Sequence, residues 1–217
     1  MKYSWVLFDL DGTLTDPGIG ITNSVMYALN KYGIKETNRS ALYKFIGPPL
    51  RDSFMNYYGL SEEEAWKCVE LYREYFGVKG LFENQVYEGI SQLLERIKAA
   101  GIGLLVATSK PTEYSIRILE KFDLLKYFDY VSGSEMNEGN ADKGTIIKNA
   151  LEWANADRDK VLMVGDRCFD VIGAKANGVD SVGVLYGYGD QKELEEAGAT
   201  YICQRVEDIA ECIFSGR

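Results

Sequence analysis

At 217 residues, 46% hydrophobic and 26% charged, the chain has the length and composition of one large globular domain or of a domain carrying an insertion. A net charge of −9 argues against a nucleic-acid polymer or an anionic membrane as partner, because neither gains from an acidic surface. The absence of histidine removes Ser-His-Asp and Cys-His catalysis, HExxH zinc sites and imidazole acid–base chemistry together, so proton transfer falls to carboxylate, Lys, Tyr or Cys.

The first stretch of note is Tyr3 to Asp16, YSWVLFDLDGTLTD. Trp5-Val6-Leu7-Phe8 is apolar at every residue, which suits a strand buried on both faces of a parallel sheet, and it stops at Asp9 and Asp11. Two carboxylates two residues apart on an extended chain aim to the same side. Like charges held close need a positive partner, and a hard divalent cation with oxygen ligands is the simplest. From these residues alone, a polar turn built on Asp and Gly12 is the alternative. An EF-hand loop is not, because counting from Asp9 puts Leu14 at the turn glycine and Gly20 at the bidentate glutamate.

Pro17 and Gly18 then mark a loop, and Ile21, Val25, Leu29 and Tyr32 fall at helical spacing before a capping Gly33. Ser40 to Ile46 reads as a short helix broken by Gly47-Pro48-Pro49, and Leu50 to Tyr58 resumes helical character. Ser61 with Glu64 forms a capping box for a helix whose apolar face runs through Val69, Tyr72 and Phe76. With no strand in sight, residues 18–81 are expected to form a helical insertion, leaving 1–17 and 82–217 as the main domain.

From Val86 the pattern alternates. Helix is expected from Ile90 to Ala100, then strand over Leu104 to Ala107 ending in Thr108-Ser109-Lys110, with Pro111 in the first turn of a helix to about Phe122. Tyr130-Val131 reads as strand, Asp142 to Ala154 as helix, and Val161 to Val164 as strand ending in Gly165-Asp166. A helix to Asn177 follows, in which Gly173, Ala174 and Ala176 suit close packing against the sheet. Ser181 to Leu185 and Tyr201 to Cys203 are strands, Lys192 to Ala197 and Val206 to Phe214 helices. Alternation of this kind predicts an α/β fold, a doubly wound, Rossmann-like parallel sheet. Ligands bind such sheets beyond the carboxyl ends of the strands, where Asp9 and Asp11, Thr108 to Lys110, and Asp166 fall together.

These residues match a family. Asp9-Leu10-Asp11-Gly12-Thr13, Thr108, Lys143, and Gly165-Asp166 with Asp170 resemble, in order, the four motifs of the haloacid dehalogenase-like hydrolases. The helical stretch resembles their inserted cap. Within the family, Phe45 to Leu50 and Gly183 to Gly189 resemble the phosphoglycolate phosphatase-like group, which includes 5′-nucleotidases. Gly144 stands after the lysine where many relatives carry proline.

The resemblance implies a Mg²⁺-dependent phosphatase of small phosphorylated metabolites. Asp9 would be the nucleophile and Asp11 the acid and base. Mg²⁺ would be held by Asp9, the Asp11 backbone carbonyl and Asp166, with Asp170 bound to it through water or standing behind these ligands. Thr108 and the backbone N–H groups of Leu10 and Ser109 would hold the phosphoryl oxygens, with Lys143 beside them and Arg51 of the cap as a substrate contact. A sugar-phosphate mutase and a catalytically idle regulatory module are the alternatives. Four scattered cysteines without a CxxC pair, no leader-like stretch and no run long enough to span a membrane predict a cytoplasmic protein with reduced thiols.

Overall fold

A computed structural model describes residues 2–136 and 142–215. The chain forms two compact units, Met1–Thr15 with Val86–Arg217, and Asp16–Gln85. Strand β1 (Trp5–Phe8) opens the first unit, and β2 (Thr15–Asp16) leads into the second. That unit contains α1 (Gly18–Tyr32), a 3₁₀ turn over Arg39–Phe45, α2 (Leu50–Tyr58) and α3 (Glu62–Tyr75), followed by a π-type turn. The chain returns through β3 (Gln85–Val86) to α4 (Ile90–Ala99), β4 (Gly103–Pro111), α5 (Thr112–Lys121) and β5 (Tyr130–Ser134). It continues with α6 (Lys143–Ala154), β6 (Val161–Gly165), α7 (Cys168–Ala176), β7 (Asp180–Val184), α8 (Gln191–Ala197), β8 (Tyr201–Cys203) and α9 (Val206–Ser215).

Six strands form one parallel sheet in the order β5-β4-β1-β6-β7-β8. The order reverses beside β1, which lies between β4 and β6, and this is where such a sheet opens a crevice at its carboxyl end. The unbroken apolar run of β1 is explained by burial from both sides. Leu7 packs with Leu105, Met163, Ile146 and Ile147 on one face, and Val6 and Phe8, pointing the other way, are also fully buried.

Two expectations need correcting. Pro111 is not in the first turn of α5 but caps it, because β4 continues through Thr108, Ser109 and Lys110 to pair Pro111 with Ser134. Four positions along β4 there oppose two along β5, a register shift that the apolar pattern does not contain. Gly173 serves a helix rather than the sheet: a Cβ there would lie 3.1 Å from both the Lys143 carbonyl carbon and the Gly144 nitrogen. It lets α7 approach the first turn of α6.

The helical unit has its own core. Phe45 sits among Phe54, Tyr57 and Tyr58, and Tyr72 stacks on Phe76. A Cβ on Gly20 would lie 2.0 Å from the Gly80 carbonyl oxygen, so only glycine allows α1 to touch that turn. No described helix is long and apolar enough to cross a membrane.

Candidate active site

The end of β1 sets the first two groups. Asp9 N–H still donates to the Val164 carbonyl at 2.9 Å, as if the strand continued, and its side chain is buried. Leu10 is fully buried, and its carbonyl accepts the N–H groups of Leu14 and Thr15 at 3.0 Å. Gly12 turns the chain with φ of 82° and donates to the Thr15 carbonyl at 2.7 Å.

Helix α6 delivers Lys143. Asp142 caps the helix by accepting the Thr145 N–H, and Lys143 follows as the first helical residue, where the helix dipole disfavours a cation. Its side chain is buried rather than solvated. The ammonium donates to the Ala107 carbonyl at 3.1 Å and lies 2.9 Å from Asp9 Oδ1 and 2.8 Å from Asp170 Oδ1. Two carboxylates reverse the penalty: although burial opposes the charged lysine, Asp170 and Asp9 raise its pKa above the ordinary value.

The loop after β6 supplies the remaining carboxylates. Asp166 is completely buried, accepting the Tyr188 N–H on Oδ2 at 2.8 Å and the Thr13 hydroxyl on Oδ1 at 3.4 Å. Asp170, in the first turn of α7, accepts the Arg167 N–H on Oδ2 at 3.1 Å. Glycines make room for this cluster: a Cβ on Gly12 would lie 2.2 Å from Asp166 Oδ2, one on Gly187 2.4 Å from Asp166 Cβ, and one on Gly165 2.1 Å from Asp170 Cγ.

Asp9, Asp166 and Asp170 can each bring one oxygen within 4.8 Å of the others. Burial, with Asp170 and Asp9 nearby, pushes Asp166 well above the carboxylate range. Burial likewise raises Asp170 to about 6, against the pull of Lys143. Asp9 Oδ1, Asp11 Oδ1 and Asp170 Oδ1 are buried, and apart from the Lys143 ammonium on Asp9 and Asp170 they meet no hydrogen-bond donor among the described residues. Ionised together, these four carboxylates would exceed the two ammoniums, Lys143 and Lys110, by two negative charges in a buried space, an excess that a bound divalent cation would offset. Hard, anionic, under-satisfied oxygens with that charge fit a divalent cation such as Mg²⁺.

Thr108 is buried within β4, its hydroxyl accepting the Lys110 N–H at 3.3 Å, and Ser109 is exposed beside it. The sequence places Lys110 at this edge but gives it no role. Its ammonium lies 2.6 Å from Asp11 Oδ2, with both side chains largely buried. Arg51 belongs to the helical unit, where its guanidinium pairs with Asp52 and Glu62 and lies over Trp66.

A family model described as haloacid dehalogenase-like hydrolase matches residues 6–184, which include all four motifs. The chain belongs to the haloacid dehalogenase-like hydrolases. Among members of that family, a 5′-nucleotidase from Pseudomonas aeruginosa is 44% identical, covering 94% of this chain and 92% of that protein. The crystal structure of a predicted phosphatase from Clostridium acetobutylicum superposes with a TM-score of 0.95 at 49% identity, covering 99% and 100% of the two chains. The Mycobacterium tuberculosis protein named tyrosine-protein kinase PtkA is 34% identical over 91% of this chain and 67% of its own length.

Proposed function

We propose that this chain, a phosphoric monoester hydrolase of the haloacid dehalogenase-like family, is a Mg²⁺-dependent phosphatase of small phosphomonoesters that carries the phosphoryl group on Asp9. The observation that supports it most is the burial of Asp9, Asp166 and Asp170 around one point, with Lys143 on Asp9 and Asp11 two residues beyond. Asp9, Asp166, Asp170 and the Asp11 backbone carbonyl would hold the cation. When bound, it would screen the approach of an anionic nucleophile to an anionic phosphate.

In the first half-reaction an Asp9 carboxylate oxygen bonds to phosphorus, the ester P–O bond breaks, and Asp11 gives its proton to the departing oxygen. In the second, Asp11 takes a proton from water, the water oxygen bonds to phosphorus, and the acyl phosphate bond breaks to restore Asp9 and release orthophosphate. The Thr108 hydroxyl and the N–H groups of Leu10 and Ser109 are the proposed donors to the phosphoryl oxygens. Lys143, 2.9 Å from Asp9 Oδ1, would hold the nucleophile in place. Burial raises the Asp11 pKa, against the pull of Lys110, which suits a group that must hold a proton before giving it.

A nucleoside 5′-monophosphate is the first substrate class to test, given the name of the Pseudomonas relative, and phosphoglycolate the second, given the sequence resemblance. The test is orthophosphate release from a panel of nucleoside 5′-monophosphates, phosphoglycolate and hexose 1-phosphates. Release that stops with EDTA, returns with Mg²⁺ and is abolished by Asp9→Asn without loss of the folded state is the expected result. An isomerised hexose phosphate would instead mean a mutase. Phosphate transferred to protein tyrosine would mean a kinase, and no turnover of any ester an idle module.

A further inference from the structure

We propose that Lys110 is a positioning residue for proton transfer: its ammonium holds the carboxyl group of Asp11 in the place from which it gives and takes the proton. The inference rests on the phosphatase reading above. The two aspartates at the end of β1 each meet a different ammonium, Lys143 at Asp9 and Lys110 at Asp11. Lys143 is tied to the Ala107 carbonyl and to Asp170 as well, so it serves the nucleophile and the cation site. The 2.6 Å contact of Lys110 is made to one oxygen of Asp11, while the other, Oδ1, is buried and meets no hydrogen-bond donor among the described residues. A carboxyl group held by a largely buried ammonium has a defined orientation.

The backbone that carries Lys110 is built to hold it. Its N–H donates to the Thr108 hydroxyl, the Ser134 hydroxyl donates to the Ser109 carbonyl at 2.9 Å, and a Cβ on Gly133 would lie 2.6 Å from the Lys110 carbonyl oxygen. The register shift between Ala107 and Pro111 places this stretch beside β5, and it is the reason that a residue past the end of the apolar strand still belongs to the sheet. In the first half-reaction the proton leaves the Asp11 carboxyl group for the ester oxygen as the P–O bond breaks, and the charge left on Asp11 faces Lys110. In the second, the Asp11 carboxylate takes a proton from the attacking water.

The role separates from phosphate binding by the leaving group. An alkyl phosphate needs its leaving oxygen protonated, whereas p-nitrophenyl phosphate leaves as a stable phenolate. The ratio kcat/KM reports the steps up to departure of the alcohol, so it isolates the first proton transfer. Positioned acid catalysis contributes about 100- to 10,000-fold, and loss of its orientation alone should remove the lower end of that range. Lys110→Met is expected to lower kcat/KM for an alkyl phosphomonoester roughly 10- to 100-fold and for p-nitrophenyl phosphate less than about threefold, and Lys110→Arg to restore most of the loss.

An equal loss with both esters would overturn the assignment, as would an unchanged ratio or no rescue by arginine. If Lys110→Met does not fold, the same ratio is read from Lys110→Gln against Lys110→Arg, with the glutamine variant expected to show the selective loss. Wild-type protein that releases no phosphate from any ester defeats the phosphatase reading. Active wild-type protein whose Asp11→Asn variant discriminates between the esters while the Lys110 variants do not defeats this inference alone.

Discussion

Asp166 shows how much a buried carboxylate depends on groups with no side chain. Its oxygens are satisfied by the Tyr188 N–H and the Thr13 hydroxyl, and the Tyr186 hydroxyl in turn donates to the Thr13 carbonyl at 2.9 Å. A Cβ on Gly187 would lie 2.4 Å from both Asp166 Cβ and the Gly12 carbonyl oxygen, and one on Gly189 2.1 Å from the Asp166 carbonyl oxygen. Neither neighbour is the free end of a flexible chain, so the loop must move. Gly187→Ala is expected to cost about 1–3 kcal/mol, the range for overpacking, and to raise the Mg²⁺ concentration needed for half-maximal activity. Urea unfolding and a Mg²⁺ titration of phosphate release check the two effects, and a variant unchanged in both would show that the loop is not tied to Asp166. The string Gly187-Tyr188-Gly189 is visible in the sequence, but its purpose is not, because the atom it avoids lies more than twenty residues away. Lys110 is the same case: its partner Asp11 lies on a different strand's end, far away in the sequence. Asp9, Asp11 and Lys143 were legible because their signals are local, carboxylates at a strand end and a cation at the wrong end of a helix.

At the scale of elements the sequence was most informative where a cap or an apolar period is complete within one helix. Gly33 takes φ of 91° after α1, and the Ser61 box is formed in full, its hydroxyl accepting the Glu64 N–H while Glu64 accepts the Ser61 N–H at 2.8 Å. Strand β4 was misjudged at its end because pairing partners, not propensity, decide where a strand stops. Ser61→Ala is expected to cost about 1 kcal/mol. Glu64 gives the same box a pH signature. Hydrogen bonds from the Ser61 N–H, then the Tyr32 hydroxyl and the Ser61 hydroxyl, hold its pKa down to about 2, below the ordinary carboxylate value of about 4.3. A lowered folded-state pKa contributes stability that is present above the unfolded value and lost as pH falls through the folded one. The gap in stability between wild type and Glu64→Gln should therefore be full at neutral pH and close between about pH 4.3 and about pH 2. Urea midpoints of the two proteins across that range check it, and a gap that persists at the acid end would contradict it.

At the scale of the molecule, the chain's two compact units each have a core, and the proposed cation ligands all lie in one of them. A ligand that binds only the folded form stabilises it by about 2.7 kcal/mol at one hundred times its Kd. For a protein of this size each kcal/mol moves the melting midpoint by about 2–4 °C, so saturating Mg²⁺ should raise the midpoint of the α/β unit by roughly 5–11 °C over the same protein in EDTA. The chain contains three tryptophans that can report this by fluorescence. Trp5 and Trp153 pack edge to face in the α/β unit, and Trp66 lies on α3 of the helical unit. A Trp66→Phe variant leaves only the first pair, and a Trp5→Phe/Trp153→Phe variant leaves only Trp66. The shift should be present in the first variant and vanish when Asp166→Asn is added, since that change removes a carboxylate while keeping its shape. In the second variant the position of the transition tells whether the helical unit unfolds with its neighbour: a midpoint that moves equally with Mg²⁺ makes the two units one cooperative body, and one that stays makes them separate. A first variant indifferent to Mg²⁺ would remove the cation from the site, and with it the explanation offered for four carboxylates gathered around two ammoniums in a buried space.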